Sequence, residues 1–278
     1  DPLRVLRVAR FAARYHHLGF TIAEETMELL KSIVDQGEME FLVAERVWKE
    51  TSRALTEQSP HIYIEVLRNC GALNVLFPEI DALFGVPQRA DYHPEVDTGI
   101  HTLMALEQAV KISDSGAVRF SVLVHDVGKA LTPDTVLPSH TGHETSGIPL
   151  VQAMCDRLGV PNQYRQLAMA VTEYQLHSHK AKELKPATML KLFQSIGALR
   201  DNNRLKDFLY CCEADARGRA GFEEITYQPK KYLTDALLAL QKVDISDLVA
   251  DGVKGSDIGV QLKQRQIEQL TIFKSENL

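Results

Sequence analysis

The sequence lacks any apolar run near the ~20 residues that a membrane-spanning helix needs, which excludes a helical integral membrane protein. No alternating apolar–polar pattern persists anywhere, which argues against a sheet. Only four cysteines are present, Cys70, Cys155, Cys211 and Cys212, with neither disulfide nor zinc-ligand spacing. A disulfide-stapled secreted domain and a zinc ribbon are therefore set aside, and reduced thiols in a cytoplasmic protein are the simplest reading. Repeats and low-complexity tracts are absent, and with them solenoids and biased tails. Excess positive charge is missing too. A net charge of −6 argues against a generic nucleic-acid binder but not against a local basic face, because binding follows charge distribution.

What is present is helical punctuation. Hydrophobic residues make up 45% of the chain, an ordinary globular value for one large or two modest domains. Apolar positions recur at helical spacing in nearly every segment, which predicts an all-α protein. Helices are expected over 2–15, 22–36, 43–57, 60–70, 99–112, 117–126, 148–158, 161–177, 187–197, 201–216, 230–242 and 257–274. Pro60 and Pro161 suit first turns, and Gly71 and Gly159 suit helix stops. Residues 84–97 contain Gly85, Pro87 and Pro94 and read as a linker. The expected organisation is a multi-helix body over 1–83, that linker, a helical core over 98–217 and a helical extension over 218–278.

Chemistry concentrates at His125-Asp126-Val127-Gly128-Lys129, which ends the apolar run 120–124. A carboxylate buried there without a partner would be costly, so an ion pair or a metal is expected, and imidazole with carboxylate suits a divalent ion. Gly128 would let a ligand approach the backbone, and Lys129 could answer a phosphate. His101 lies upstream, His140 and His143 downstream, and Asp215 further on. The helix beginning near His101 and the one ending at His125 have about three turns each, separated by turn residues Asp114-Ser115-Gly116. An antiparallel pair brings His101 and His125 to the same end. His177 and His179 end a helix, where imidazolium suits the dipole, or else line that pocket, for which His93 is a further candidate; Trp48 reads as core or interface.

The stretch 1–14 is one amphipathic helix. On a wheel of about 100° per residue, Val5, Leu6, Val8, Ala9, Ala12 and Ala13 share one side and Arg4, Arg7, Arg10 and Arg14 the other. Four arginines on one face suit phosphates or bases, or equally a solvated face with ion pairs.

His101, His125-Asp126 and Asp215 resemble the His…His-Asp…Asp signature of HD-domain phosphohydrolases. The resemblance implies that these four groups bind a divalent metal (Mg, Mn or Ni) in an all-helical domain. It further implies catalytic roles for His125 and Asp126, with Lys129 beside the phosphate and His140 or His143 orienting substrate or shuttling a proton. The front of the chain is similar to bacterial class II CCA-adding enzymes (tRNA nucleotidyltransferases). Asp1 and Arg4 resemble part of the family's Glu-Asp-x-x-Arg motif, and Glu45-Arg46-Val47-Trp48-Lys49-Glu50 its Glu-Arg-x-x-x-Glu motif. Leu76-Phe77-Pro78-Glu79-Ile80-Asp81 and His93-Pro94-Glu95 resemble the linker of the form with an appended HD domain. By this resemblance Asp1, Arg4, Arg7 and Arg10 belong to the nucleotide site and Glu45, Arg46 and Glu50 to a motif of the neck.

The implied partners are tRNA, CTP and ATP, with cyclic nucleotides and small phosphate esters at the HD site. The family's Gly-rich phosphate loop, Asp-x-Asp pair and Arg-Arg-Asp motif are not found in a suitable context. The chain is therefore expected to be a fragment without the nucleotidyltransferase head, inactive in CCA addition and retaining the phosphohydrolase. A free-nucleotide hydrolase of the wider HD superfamily, and a tRNA-binding module with an inert HD fold, are the alternatives.

Overall fold

The computed structural model describes residues 1–246 and 256–277, and every long element among them is an α-helix. The sheet-free reading of the composition holds: the β-pairing among these residues is an isolated bridge between Pro87 and Asp97. The chain forms two compact units, Asp1–Glu173 with Tyr210–Ile225, and Tyr174–Leu209 with Thr226–Leu278.

The first unit opens with α1 (Leu3–Tyr15), which buries Leu3, Val5, Leu6, Ala9 and Ala13, the side that the wheel marks as apolar. It packs on α3 (Ala44–Leu55) and α4 (Pro60–Asn69), with α2 (Glu24–Asp35) alongside. Pro60 occupies the first turn of α4, where its missing N–H costs nothing. The short helices α5 (Ala72–Leu76) and α6 (Pro78–Asp81) follow at the end of the predicted body, before the segment read as a linker. Helices α7 (Thr98–Ile112) and α8 (Gly116–Val124) then form a hairpin joined by residues 113–115.

Each hairpin helix has an oxygen cap. Asp97 Oδ1 accepts from Ile100 N at 2.9 Å, and Ser115 Oγ accepts from Val118 N at 3.4 Å. Every residue of α8 is buried, including Arg119, whose guanidinium donates to the carbonyls of Leu55, Glu57 and Ser113. Those first two carbonyls end α3, so the buried charge meets the negative end of a helix. Trp48 is a core residue, edge-on to Phe120 at 5.4 Å and to Tyr164 at 5.0 Å.

Helix α9 (His143–Leu158) begins earlier than the sequence predicts and carries Pro149 inside it. Gly142, at φ 86°, turns the chain into the helix and brings His143 to its first residue. Helix α10 (Asn162–His179) runs from the first unit into the second. In the second unit α11 (Pro186–Ser195) packs against the last helix, and α12 (Asn202–Arg217) returns the chain to the first unit. Helices α13 (Gln228–Leu240) and α14 (Ser256–Asn277) complete the second unit, with Tyr232 against Phe273 at 5.2 Å. His179 belongs here, where its Nδ1 meets Tyr227 Oη at 3.0 Å. All four cysteines are buried, and burial pushes the Cys155 thiol up to about 11. No helix among the described residues is long and apolar enough to cross a membrane.

Candidate metal centre

The α7–α8 hairpin sets the site. His101 stands in the first turn of α7 and His125 just past the last turn of α8, so antiparallel packing brings them to one end, with ring centroids 5.7 Å apart. Asp126 begins the 3-10 turn Val127–Leu131, and Asp215 comes from the last turn of α12. His101 Nε2 lies 3.0 Å from Asp215 Oδ1 and 4.0 Å from Asp126 Oδ2. His125 Nε2 lies 3.2 Å from Asp126 Oδ2 and 3.6 Å from Asp215 Oδ1. For metal–ligand bonds of about 2.1 Å, neighbouring ligands sit about 3.0 Å apart and opposite ones about 4.2 Å apart. Three of the four sequence-predicted ligands, His101, His125 and Asp215, each bring one ligand atom within 4.8 Å of the others, and Asp126 Oδ2 stands beside both imidazoles. The fit is one of chemistry as well as spacing, since N and O donors of this kind suit divalent metals.

Each ring is aimed by its second nitrogen. His125 Nδ1 bonds to Val122 O at 2.6 Å, which turns Nε2 toward the carboxylates. His101 Nδ1 lies 2.9 Å from Glu95 Oε1. His143 Nδ1 bonds to His140 O at 2.7 Å, and its Nε2 lies 3.3 Å from Asp126 Oδ1. Burial alone would lower the His125 pKa, but the nearby carboxylates of Asp126 and Asp215 outweigh it and raise the ring to about 10. Burial works against ionised Asp126 in the same way, yet His125 and Lys129 hold it well below the usual carboxylate range. His101 and His125 would give up their Nε2 protons on holding a metal ion.

Lys129 Nζ is held between Asp126 Oδ2 at 2.6 Å and Gln88 Oε1 at 2.7 Å. His140 Nδ1 meets Thr132 Oγ1 at 2.7 Å and its Nε2 meets Pro87 O at 3.0 Å, so both ring nitrogens tie down its loop. Gly128 departs from its expected role. A Cβ there would stand 2.0 Å from His143 O and 2.7 Å from Gly147 N, so the close approach is made by the backbone of α9 rather than by a ligand.

The sequence reading missed Gln88 and Glu95, because both lie in the segment read as linker. His93, weighed only as a pocket-lining candidate, stands with Glu95, its Nδ1 3.0 Å from Glu95 Oε1. A carboxylate six residues before His101 carries no spacing signal of its own. It is brought in by a turn at Val96, whose φ of 61° is unusual for a β-branched residue.

The other predicted residues lie along α1 and α3. Arg10 does not face outward with the rest. Its Nε donates to Glu50 Oε2 at 2.8 Å and its Nη1 to Glu57 Oε1 at 3.4 Å, while Arg14 Nε lies 3.2 Å from Glu57 Oε2. The ion-pair alternative therefore describes Arg10, and in part Arg14. Asp1, Arg4, Arg7, Glu45 and Arg46 are exposed, and Glu50 is buried. Phe11 and Tyr15 are stacked at 6.2 Å on the exposed side of α1, with Phe20 beyond.

A family model described as HD domain matches residues 98–220, and one described as a probable RNA and SrmB-binding site of polymerase A matches residues 19–84. A multifunctional CCA protein of Teredinibacter turnerae is 51% identical over 275 residues, covering 99% of this chain and 67% of that one. One from Acinetobacter baumannii is 53% identical over 277 residues, covering 100% and 67%. A solved CCA-adding enzyme in complex with CTP shares the fold, with a TM-score of 0.57 at 17% identity over 97% of this chain and 56% of that one. The chain spans about two thirds of the length of the curated relatives it matches. With that identity over the whole chain, it belongs to the multifunctional CCA protein family.

Proposed function

We propose that the 98–217 core is a metal-dependent phosphohydrolase acting on 2′,3′-cyclic phosphates, 2′-nucleotides and simple phosphate esters. The protein carrying it would serve tRNA 3′-end maturation and repair in the cytoplasm. The observation that supports this reading is the convergence of His101 Nε2, His125 Nε2, Asp126 Oδ2 and Asp215 Oδ1 at separations of 3.0, 3.2, 3.6 and 4.0 Å. Those four would hold Mg, Mn or Ni. When bound, such an ion supplies Lewis-acid polarisation of a phosphoryl group and a nucleophile at neutral pH.

The protein groups divide the remaining work. Lys129, fixed by Asp126 and Gln88, places a positive charge for the phosphate without the entropy cost of a mobile side chain. His143 carries the proton: its Nε2 faces Asp126, and burial, which disfavours its charged form, is outweighed by that carboxylate, so its pKa is raised. His140, with both nitrogens engaged, orders the loop that leads into α9.

The body over 1–83 would contact tRNA, with Asp1, Arg4 and Arg7 on the side meant for nucleotide and acceptor end. The exposed rings of Phe11 and Tyr15 beside them suit base stacking. Of the Glu45, Arg46 and Glu50 motif, Glu50 supports that helix from α3 through Arg10, and Glu45 and Arg46 are exposed. CTP and ATP would be substrates of the longer protein. The test is turnover of a 2′,3′-cyclic nucleotide against added Mg, Mn and Ni, in the wild type and in His125→Ala. Loss of activity in the variant and in chelator is expected, whereas chelator-insensitive turnover would refute the reading.

A further inference from the structure

Residues 85–97 lie between the two family matches, yet they touch the metal centre repeatedly. Pro87 O meets His140, Gln88 Oε1 meets Lys129, and Glu95 Oε1 meets both His93 and His101. Of these, Glu95 contacts a candidate ligand directly. Its side chain is 3% exposed, so its charge has left water and must be answered inside the protein. Oε1 lies 2.9 Å from His101 Nδ1 and 3.0 Å from His93 Nδ1, and Oε2 accepts from Ala220 N at 3.3 Å. Ala220 lies a few residues beyond Asp215, so the same carboxylate reaches toward the chain that supplies a second ligand.

We propose that Glu95 is a positioning residue of the metal centre, fixing the His101 imidazole with its proton on Nδ1 and its Nε2 toward Asp215 and the ion. The inference rests on the metal site proposed above. Both ring nitrogens of His101 face carboxylates, Nδ1 at 2.9 Å from Glu95 Oε1 and Nε2 at 3.0 Å from Asp215 Oδ1, and a carboxylate can only accept a hydrogen bond. A metal taken up at Nε2 would displace the proton there and leave the remaining proton on Nδ1, on the side of Glu95. The His93 ring stands edge-on to His101 with centroids 4.6 Å apart and limits rotation of the ring from the other side. Carboxylates that orient a ligand histidine in this way contribute about 10–100-fold to metal affinity.

The test compares wild type, Glu95→Gln, Glu95→Leu and His125→Ala, with cobalt(II) as the probe. Cobalt affinity is measured by calorimetry, the visible spectrum of the loaded protein reports ligand geometry, and urea unfolding in chelator reports the metal-free fold. Glu95→Leu should weaken cobalt binding about 10–100-fold and alter the spectrum. Glu95→Gln keeps an acceptor oxygen for Nδ1–H and should recover most of the affinity. Wild-type affinity and spectrum in Glu95→Leu would overturn the proposal. So would losses in both variants that merely follow a lower metal-free unfolding midpoint, which would make Glu95 scaffold. Failure of the metal site itself looks different: wild type would not bind cobalt, or His125→Ala would bind it equally well, and the role of Glu95 would fall with it.

Discussion

Arg10 Nε donates to Glu50 Oε2 across 2.8 Å, and so ties the arginine-bearing helix α1 to the Glu45-Arg46-Val47-Trp48-Lys49-Glu50 stretch of α3. The side chains are only 12% and 7% exposed, so this pair is shielded from the solvent that makes surface ion pairs weak. Glu50→Gln should cost about 1–3 kcal/mol in urea unfolding, because a charged hydrogen bond is replaced by a poorer one in a nearly dry place. The double variant Arg10→Met with Glu50→Gln should cost less than the sum of the single changes. An unchanged midpoint in Glu50→Gln would show that the pair is idle.

Arg4 and Arg7 are exposed and so available for phosphates. Replacing either by Ala should weaken tRNA binding and lower the slope of log affinity against log salt by about 1 for each phosphate left without its arginine. Arg10→Ala should instead act through stability. Filter binding of tRNA across a salt series distinguishes them, and identical slopes in all three variants would remove the phosphate role from this face.

Gly128→Ala should be severe. The added methyl would press on His143 O and the Gly147 backbone, neither of which can swing away as a side-chain tip does. Overpacking against backbone is expected to cost about 3 kcal/mol or more and to part Lys129 from His143. A variant with wild-type unfolding and wild-type cyclic phosphodiesterase turnover would contradict the packing account.

The ligand pairing was legible because it depends only on helix length and chain reversal. Two arms of similar length, 101–112 and 116–125, joined by a short polar turn bring His101 and His125 to the same end. The wheel for α1 likewise found its buried side. It could not say which arginine meets a neighbour: Arg10 lies about 40° from buried Leu6 and thus at the edge that reaches α3, a fact set by tertiary packing. Glu95 and Gln88 were illegible for another reason. Irregular backbone has no period, and the Val96 turn that aims Glu95 cannot be inferred from a valine. Gly128 was correctly marked as a place of close approach, but composition does not reveal that the approaching group is a helix.

The resemblance to CCA-adding enzymes implies an Asp-x-Asp carboxylate pair for nucleotide addition, and no Asp-x-Asp sequence occurs in these residues. This chain by itself should incorporate neither CTP nor ATP into tRNA lacking its terminal CCA. Labelled-nucleotide incorporation by a rigorously purified sample would contradict that expectation.

The reach of Gln88, His93 and Glu95 into the metal centre separates two kinds of boundary. The stretch recognised as an HD domain begins at residue 98, but the contacts to the candidate metal centre begin at Pro87. A graft cut at Thr98 would transplant the metal ligands and leave behind the groups that aim them and anchor Lys129. A chimaera joined near residue 84 carries both, and should be the shorter path to a transferable phosphohydrolase module.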